Sequence, residues 1–296
     1  VVEPYFMQAE VLYPAQCFLG EGPMWHAERK SCFWVDIEEQ KFFEYNFINK
    51  NVQVRTLDYR VTLIVQDKNN QLVLGLEGGI GRYNLDTEQF TWLTNLEKEK
   101  NKHRCNDGKV DTKGRLWVGT MHRDFVEGAG SLYCLSENLE FATKLTGLTI
   151  ANGLAWSPDN TRFYFIDTPT NKVQSFLFDE ATGNIQFEKD AIIIPKEKGT
   201  PDGMAIDEEG MLWIAHWGGF GVYRWNPANG QLLEVIELPV PNVSSCAFVG
   251  ENLEHLLITT ARQDLTETDL KQYPDSGNVF LQKLSVKGLP ANKLCF

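Results

Sequence analysis

The sequence predicts an all-β fold, a six-bladed β-propeller of four-stranded antiparallel blades, and three observations predict it. A hydrophobic stretch closed by a polar or turn residue, a short gap and a second hydrophobic stretch recur six times along the chain. The second stretches begin 40, 43, 48, 48 and 45 residues apart, close to the length of one propeller blade. The runs are β-branched and aromatic, and turn chemistry such as Ser157-Pro158-Asp159-Asn160 and Asp207-Glu208-Glu209-Gly210 separates them.

Taken in order, residues 6–13 alternate in hydrophobicity and are expected to supply the outer strand of the sixth blade, beside a later strand at 278–284. That arrangement hides the seam of the ring and leaves no long open edge. The second strands of blades one to six are Phe33-Trp34-Val35-Asp36, Val73-Leu74-Gly75-Leu76, Leu116-Trp117-Val118-Gly119, Tyr164-Phe165-Ile166-Asp167, Leu212-Trp213-Ile214-Ala215 and Leu257-Ile258-Thr259-Thr260. The clearest full copies lie at 152–167 and 202–215. Helical periodicity is nearly absent, and residues 265–273 are expected to hold one short helical turn inside a long loop. No Pro/Ser-rich linker or shift in composition divides the chain, so residues 1–296 are read as a single domain.

Charge and cysteine usage narrow the setting. A formal net charge of -12 repels phosphate backbones and anionic lipid surfaces. The expectation is therefore no nucleic acid and no membrane partner; no stretch approaches the length of a membrane span, and the first residues lack the pattern of a leader. Six cysteines, without CxxC spacing and mostly inside hydrophobic text, favour buried thiols in a reducing cytoplasm over disulfides or zinc. Asn242-Val243-Ser244 is a formal glycosylation sequon, with meaning only in a secreted protein.

Counting back five residues from the residue that closes each first strand gives Glu21, Asn106, Asn152, Asp202 and, less cleanly, Ser245, with Val61 or Thr62 in blade two. Innermost strands run side by side around the central channel, so equivalent positions at their starts form a ring at one mouth. Two carboxylates and two carboxamides facing one axis are hard oxygen ligands. They suit calcium, magnesium or manganese, with zinc allowed. The plainer alternative is turn material, since Asp or Asn before Gly tolerates left-handed backbone. Glu77-Gly78-Gly79-Ile80-Gly81 reads as a hairpin turn, with no helix N-terminus behind it to make a phosphate site. His103 and His122 are given no role, Trp217 is read either as a pocket wall or as core, and no G-x-S-x-G elbow is present.

The strings Leu19-Gly20-Glu21-Gly22-Pro23-Met24-Trp25, Asn106-Asp107-Gly108-Lys109-Val110-Asp111, Asn152-Gly153-Leu154 and Pro201-Asp202-Gly203-Met204-Ala205-Ile206-Asp207 closely resemble the gluconolactonase, regucalcin (senescence marker protein) and luciferin-regenerating enzyme family. The resemblance runs from Cys17 to about Gly288. It implies one divalent ion held by Glu21, Asn152 and Asp202, and substrate contacts from Arg104, Asn106 and Asp124. Family members often carry Glu where this chain has Asp124, and a carboxylate one methylene shorter reshapes the sugar pocket.

The implied activity is a metal-dependent lactonase, a carboxylic-ester hydrolase acting on sugar lactones such as gluconolactone. Its ion polarises the carbonyl, Asp202 is the general base, and Arg104 and Asn106 orient the substrate. Two alternatives stand beside it. One is a hydrolase of other lactones, esters, phosphotriesters or a nitrile-type substrate at the same site; the other is a non-catalytic calcium-binding regulator or scaffold.

Overall fold

Six sheets are arranged around an axis in a computed structural model that describes residues 3–296. The innermost strands, in blade order, are Gly20–His26, Val61–Gln66, His103–Val110, Ala151–Trp156, Thr200–Ile206 and Val243–Val249. Each packs against the next and the sixth packs against the first, which closes the ring. Within each blade three further strands follow outward in antiparallel order. Alternation fails in the second strands, which are buried on both sides; Ser31–Asp36 and Leu72–Leu76 have no exposed residue at all. Such runs are continuous apolar text because neighbouring blades cover both faces of the sheet.

Trp117 and Trp213 occupy the same place in blades three and five, opposite Lys109 and Ala205, and are fully buried. Buried indoles need acceptors for their N–H groups. Trp117 Nε1 donates to Asp111 Oδ2 at 2.8 Å and Trp213 Nε1 to Asp207 Oδ2 at 2.9 Å. The other oxygen of each aspartate accepts backbone N–H groups of its own turn, from Lys113 and Arg115 in one case and Glu209 and Met211 in the other. One carboxylate thus ties a turn to an inter-blade wedge.

The seam closes differently from expectation. Residues 6–13 do not form one strand. Glu10–Tyr13 pairs antiparallel with Val279–Lys283 and completes blade six as expected. Tyr5–Gln8 instead pairs parallel with the outer strand Gln231–Glu237 and gives blade five a fifth strand. The alternation is uninterrupted through Ala9, so only the proximity of two sheet edges splits the segment between them. The short helix expected within 265–273 is Glu267–Gln272, started by a reciprocal cap between Thr266 and Asp269.

The last residues cross the end of the ring at which the innermost strands finish. Glu208 N donates to Lys287 O at 2.8 Å, Asn292 Nδ2 to Val110 O at 3.1 Å, and Leu294 N to Gln66 O at 2.9 Å. The segment spans the opening of a central cavity of about 590 Å³. Residues such as Trp25, Gln66, Val110, Trp156, Ile206 and Phe248 line that cavity. The opposite mouth, where the innermost strands begin, is where the polar ring lies. All six cysteines are free thiols, five of them buried. Asn242 is buried with its amide donating to Gln263 O at 2.8 Å, so the sequon is closed in the folded chain. No helix among the described residues is long and apolar enough to cross a membrane.

Candidate active site

Every innermost strand carries one extra residue near its start relative to the strand beside it. The pairing slips between Glu21 and Met24, Val61 and Leu63, Cys105 and Gly108, Ala151 and Leu154, Pro201 and Met204, and Val243 and Ser245. A bulge re-aims side chains and breaks strict alternation. This repeated slip turns a strand start into a ring of inward groups. Asn106 and Asp107 both stand opposite Gly119, so two consecutive residues can serve the interior.

Second-strand aspartates anchor the approach to two ring positions. Asp36 accepts Phe18 N at 2.8 Å and Leu19 N at 3.1 Å, two residues before Glu21. Asp167 accepts Ile150 N at 2.8 Å and Thr149 N at 3.1 Å in the same relation to Asn152. In blade five His216 Nδ1 meets Lys198 O at 2.8 Å ahead of Asp202. Burial pushes the His216 pKa down to about 3, and the neutral ring stacks on Tyr223 with centroids 4.0 Å apart.

Glu21, Arg104, Asn106, Asn152 and Asp202 converge at the mouth. Arg104, Asn106, Asn152 and Asp202 are buried, and Glu21 keeps partial contact with solvent. Arg104 Nη1 donates to Asn106 Oδ1 at 2.6 Å and to Cys105 O at 3.0 Å, while Asn106 Nδ2 donates to Ala151 O at 2.8 Å. Asn106 therefore has its carboxamide engaged at both ends. Asn152 differs. Its Nδ2 donates to Thr168 Oγ1 at 2.9 Å, which in turn donates to Pro201 O at 2.9 Å, and this leaves Asn152 Oδ1 buried without a donor. Asp202 Oδ1 is likewise buried and unpartnered.

Burial drives the Glu21 carboxyl well above the ordinary carboxylate range, and the charges of Asp202 and Asp107 push the same way. Asp202 is raised by burial and then by Asp107, with the Asn152 carboxamide and Arg104 opposing. Arg104 has its charge disfavoured by burial and sustained by Glu38 and Glu21. Carboxylates raised by one another, beside two orphaned oxygens, form a site short of positive charge. Hard oxygen donors of this kind fit a divalent ion. Among the described residues no three His, Cys, Asp or Glu side chains cluster as a metal site by themselves, and the set here counts the Asn152 amide.

Asp124 lies apart from the group, on the loop that follows the second strand of blade three at the same end. Its side chain is exposed and pairs with Lys102 Nζ at 2.6 Å. Of the weaker ring positions, Thr62 donates to Gly75 O at 3.3 Å and Ser245 packs beneath Gly203. His103 and His122 pack edge to face at 5.2 Å, and His103 Nδ1 lies 2.9 Å from Glu97 Oε2. Trp217 is half-buried and packs against the cluster that contains Leu19 and Ala261.

Sequence reasoning missed Asp107 and Lys109. Burial raises the Asp107 carboxyl and lowers the Lys109 ammonium, and each opposes the other's shift. Both belong to the string Asn106-Asp107-Gly108-Lys109, but regular alternation would send Asp107 to the opposite side from Asn106. Only the bulge brings both inward.

Fold and site together define a six-bladed β-propeller with a ring of buried polar side chains at one mouth. The chain belongs to the SMP-30/Gluconolactonase/LRE-like family, whose model matches residues 19–262. It is 35% identical over 290 residues to regucalcin of Oryctolagus cuniculus, covering 96% of this chain and 97% of that protein. Among solved structures it is similar to a protein described as a calcium-binding protein, regucalcin, from Agrobacterium tumefaciens, with a TM-score of 0.95, 27% identity and all of both chains covered. It is also similar to a luciferin-regenerating enzyme, with a TM-score of 0.90, 31% identity and 95% and 97% of the two chains covered.

Proposed function

We propose that the protein is a divalent-metal-dependent lactonase that opens sugar lactones such as gluconolactone. The observation that carries this reading is the pair of buried, unpartnered acceptors, Asn152 Oδ1 and Asp202 Oδ1, gathered with Glu21 at one mouth of the ring. Glu21, Asn152 and Asp202 would hold the ion, with calcium, zinc, magnesium and manganese as candidates; when bound, it supplies Lewis-acid polarisation of a lactone carbonyl. Membership of a family that includes gluconolactonases supports the reaction class.

The remaining steps fall to the chain's own residues. Asp202 takes the proton from the attacking water; a carboxylate partly engaged by the ion is a weak base in isolation, and being held within hydrogen-bond reach of that water in a confined site is what lets it act. Arg104 and Asn106, locked to each other at 2.6 Å, present fixed donors that orient the lactone carbonyl or ring hydroxyls. Asp124 contributes at the rim, where Lys102 now holds it. The free thiols support a reducing compartment, the cytoplasm, and the net charge of -12 argues against nucleic acid or an anionic membrane as partner.

A second reading, a calcium-binding protein without turnover, is favoured by the description of the Agrobacterium relative. Lactone opening by chelator-treated protein, restored ion by ion with each candidate metal, separates the two. Asp202→Asn should lower turnover by roughly 10²–10⁴-fold with the unfolding temperature kept. Undiminished lactone opening in that variant removes Asp202 from the chemistry, and no opening with any ion leaves the binding role.

A further inference from the structure

Lys109 is the longest side chain projecting from the innermost strands into the tunnel below the ring, and its place there is unusual. It starts on blade three, yet its ammonium donates to the Met204 carbonyl on the innermost strand of blade five, past blade four. The contact therefore spans part of the tunnel. Asp107 and Lys109 both line the central cavity, whereas Glu21, Asn152 and Asp202 do not. Asp107 accepts Gly108 N at 2.7 Å and touches no cationic side chain directly among the described residues. Its charge nevertheless reaches both Glu21 and Asp202. Asp107 and Lys109, two residues apart on one strand, thus stand inside the cavity on the inner side of the Glu21 and Asp202 carboxylates.

We propose that Lys109 is a fixed internal cation: held on the Met204 carbonyl across the tunnel, it offsets Asp107 and leaves a bound divalent ion only the charges of Glu21 and Asp202 to neutralise. It is a positioning residue, setting how strongly the ring attracts an ion and how much repulsion the ion-free ring must bear. The ion-binding half of this inference rests on the reading of the ring as a metal site; the half concerning Lys109 and Asp107 does not.

The test is a double-mutant cycle on the full chain with Lys109→Met, Asp107→Asn and both together, read by calcium titration calorimetry and by thermal unfolding in chelator. Removing one internal positive charge should tighten calcium binding about tenfold in Lys109→Met, and adding Asp107→Asn should cancel the gain. In chelator, Lys109→Met should unfold at a lower temperature than the double variant, because only the single variant leaves Asp107 unopposed. Calcium affinity in Lys109→Met equal to that of the parent protein overturns the proposal, as does a double variant whose unfolding temperature is the sum of the single effects. A parent protein that binds no divalent ion sinks the metal reading alone, and the chelator measurement still decides the coupling. If Lys109→Met does not fold while the double variant does, the coupling is confirmed; if neither folds, Asp107→Asn decides. That variant should weaken calcium binding about tenfold, and unchanged affinity overturns the proposal.

Discussion

Gly153 and Gly203 sit beside the two orphaned acceptors, and neither has the positive φ that would mark a glycine turn. Both are where a neighbouring blade comes close. A Cβ at Gly153 would lie 2.7 Å from Asp202 O, and one at Gly203 would lie 2.0 Å from Ser245 Oγ. Asn152 and Asp202 themselves do not have left-handed backbone, so the turn explanation for Asp or Asn before Gly fails at these two positions. Gly203→Ala should cost about 1–3 kcal/mol through overpacking. It should also weaken calcium binding, because relief of the clash moves the strand that carries Asp202; thermal unfolding and calcium titration of one preparation check both effects. A Gly203→Ala protein with parental stability would show that the blades are not held this tightly.

Strand pairing, rather than strand composition, determined how the chain ends are used. Tyr5–Gln8 lies on an edge that blade five could leave open, whereas Glu10–Tyr13 covers the outer edge of blade six and brings Tyr13 to within 6.0 Å of Trp34. Removing residues 1–8 should lower the unfolding temperature by only a few degrees. Removing residues 1–13 should expose a full strand edge and yield aggregated or unfolded protein. Thermal unfolding with light scattering separates the two, and equal behaviour of both truncations would contradict the closure described above. The ring of first strands was legible because hydrophobic text, turn residues and spacing repeat with it. The split of residues 6–13 was not, since an alternating segment looks the same whichever sheet receives it.

At the scale of the whole molecule, closure concentrates like charge on the axis. In ion-free protein Glu21 and Asp202 have pKa values raised above those of the unfolded chain, chiefly by burial. Groups raised in this direction contribute most below the unfolded carboxylate value of about 4, and that contribution is lost as pH climbs through their folded values. The unfolding temperature in chelator should therefore fall as pH rises above the unfolded carboxylate value of about 4, and added calcium should recover the loss. A chelated protein whose stability is indifferent to pH above that value, or to calcium, would show that the two carboxylates do not share one field.

The residues read from the sequence alone were those that repeat in register: the six-fold architecture, and Glu21, Asn106, Asn152 and Asp202 among them. Repetition in a propeller is itself a spatial statement, because equal positions in successive blades lie at equal distance from the axis. Asp107 and Lys109, the freedom of the Asn152 oxygen against the engagement of Asn106, and the exposure of Asp124 were decided only in three dimensions. Each depends on a bulge, a hydrogen bond between blades or a contact across the tunnel, and the linear order of residues does not encode which neighbour the closing ring will bring alongside.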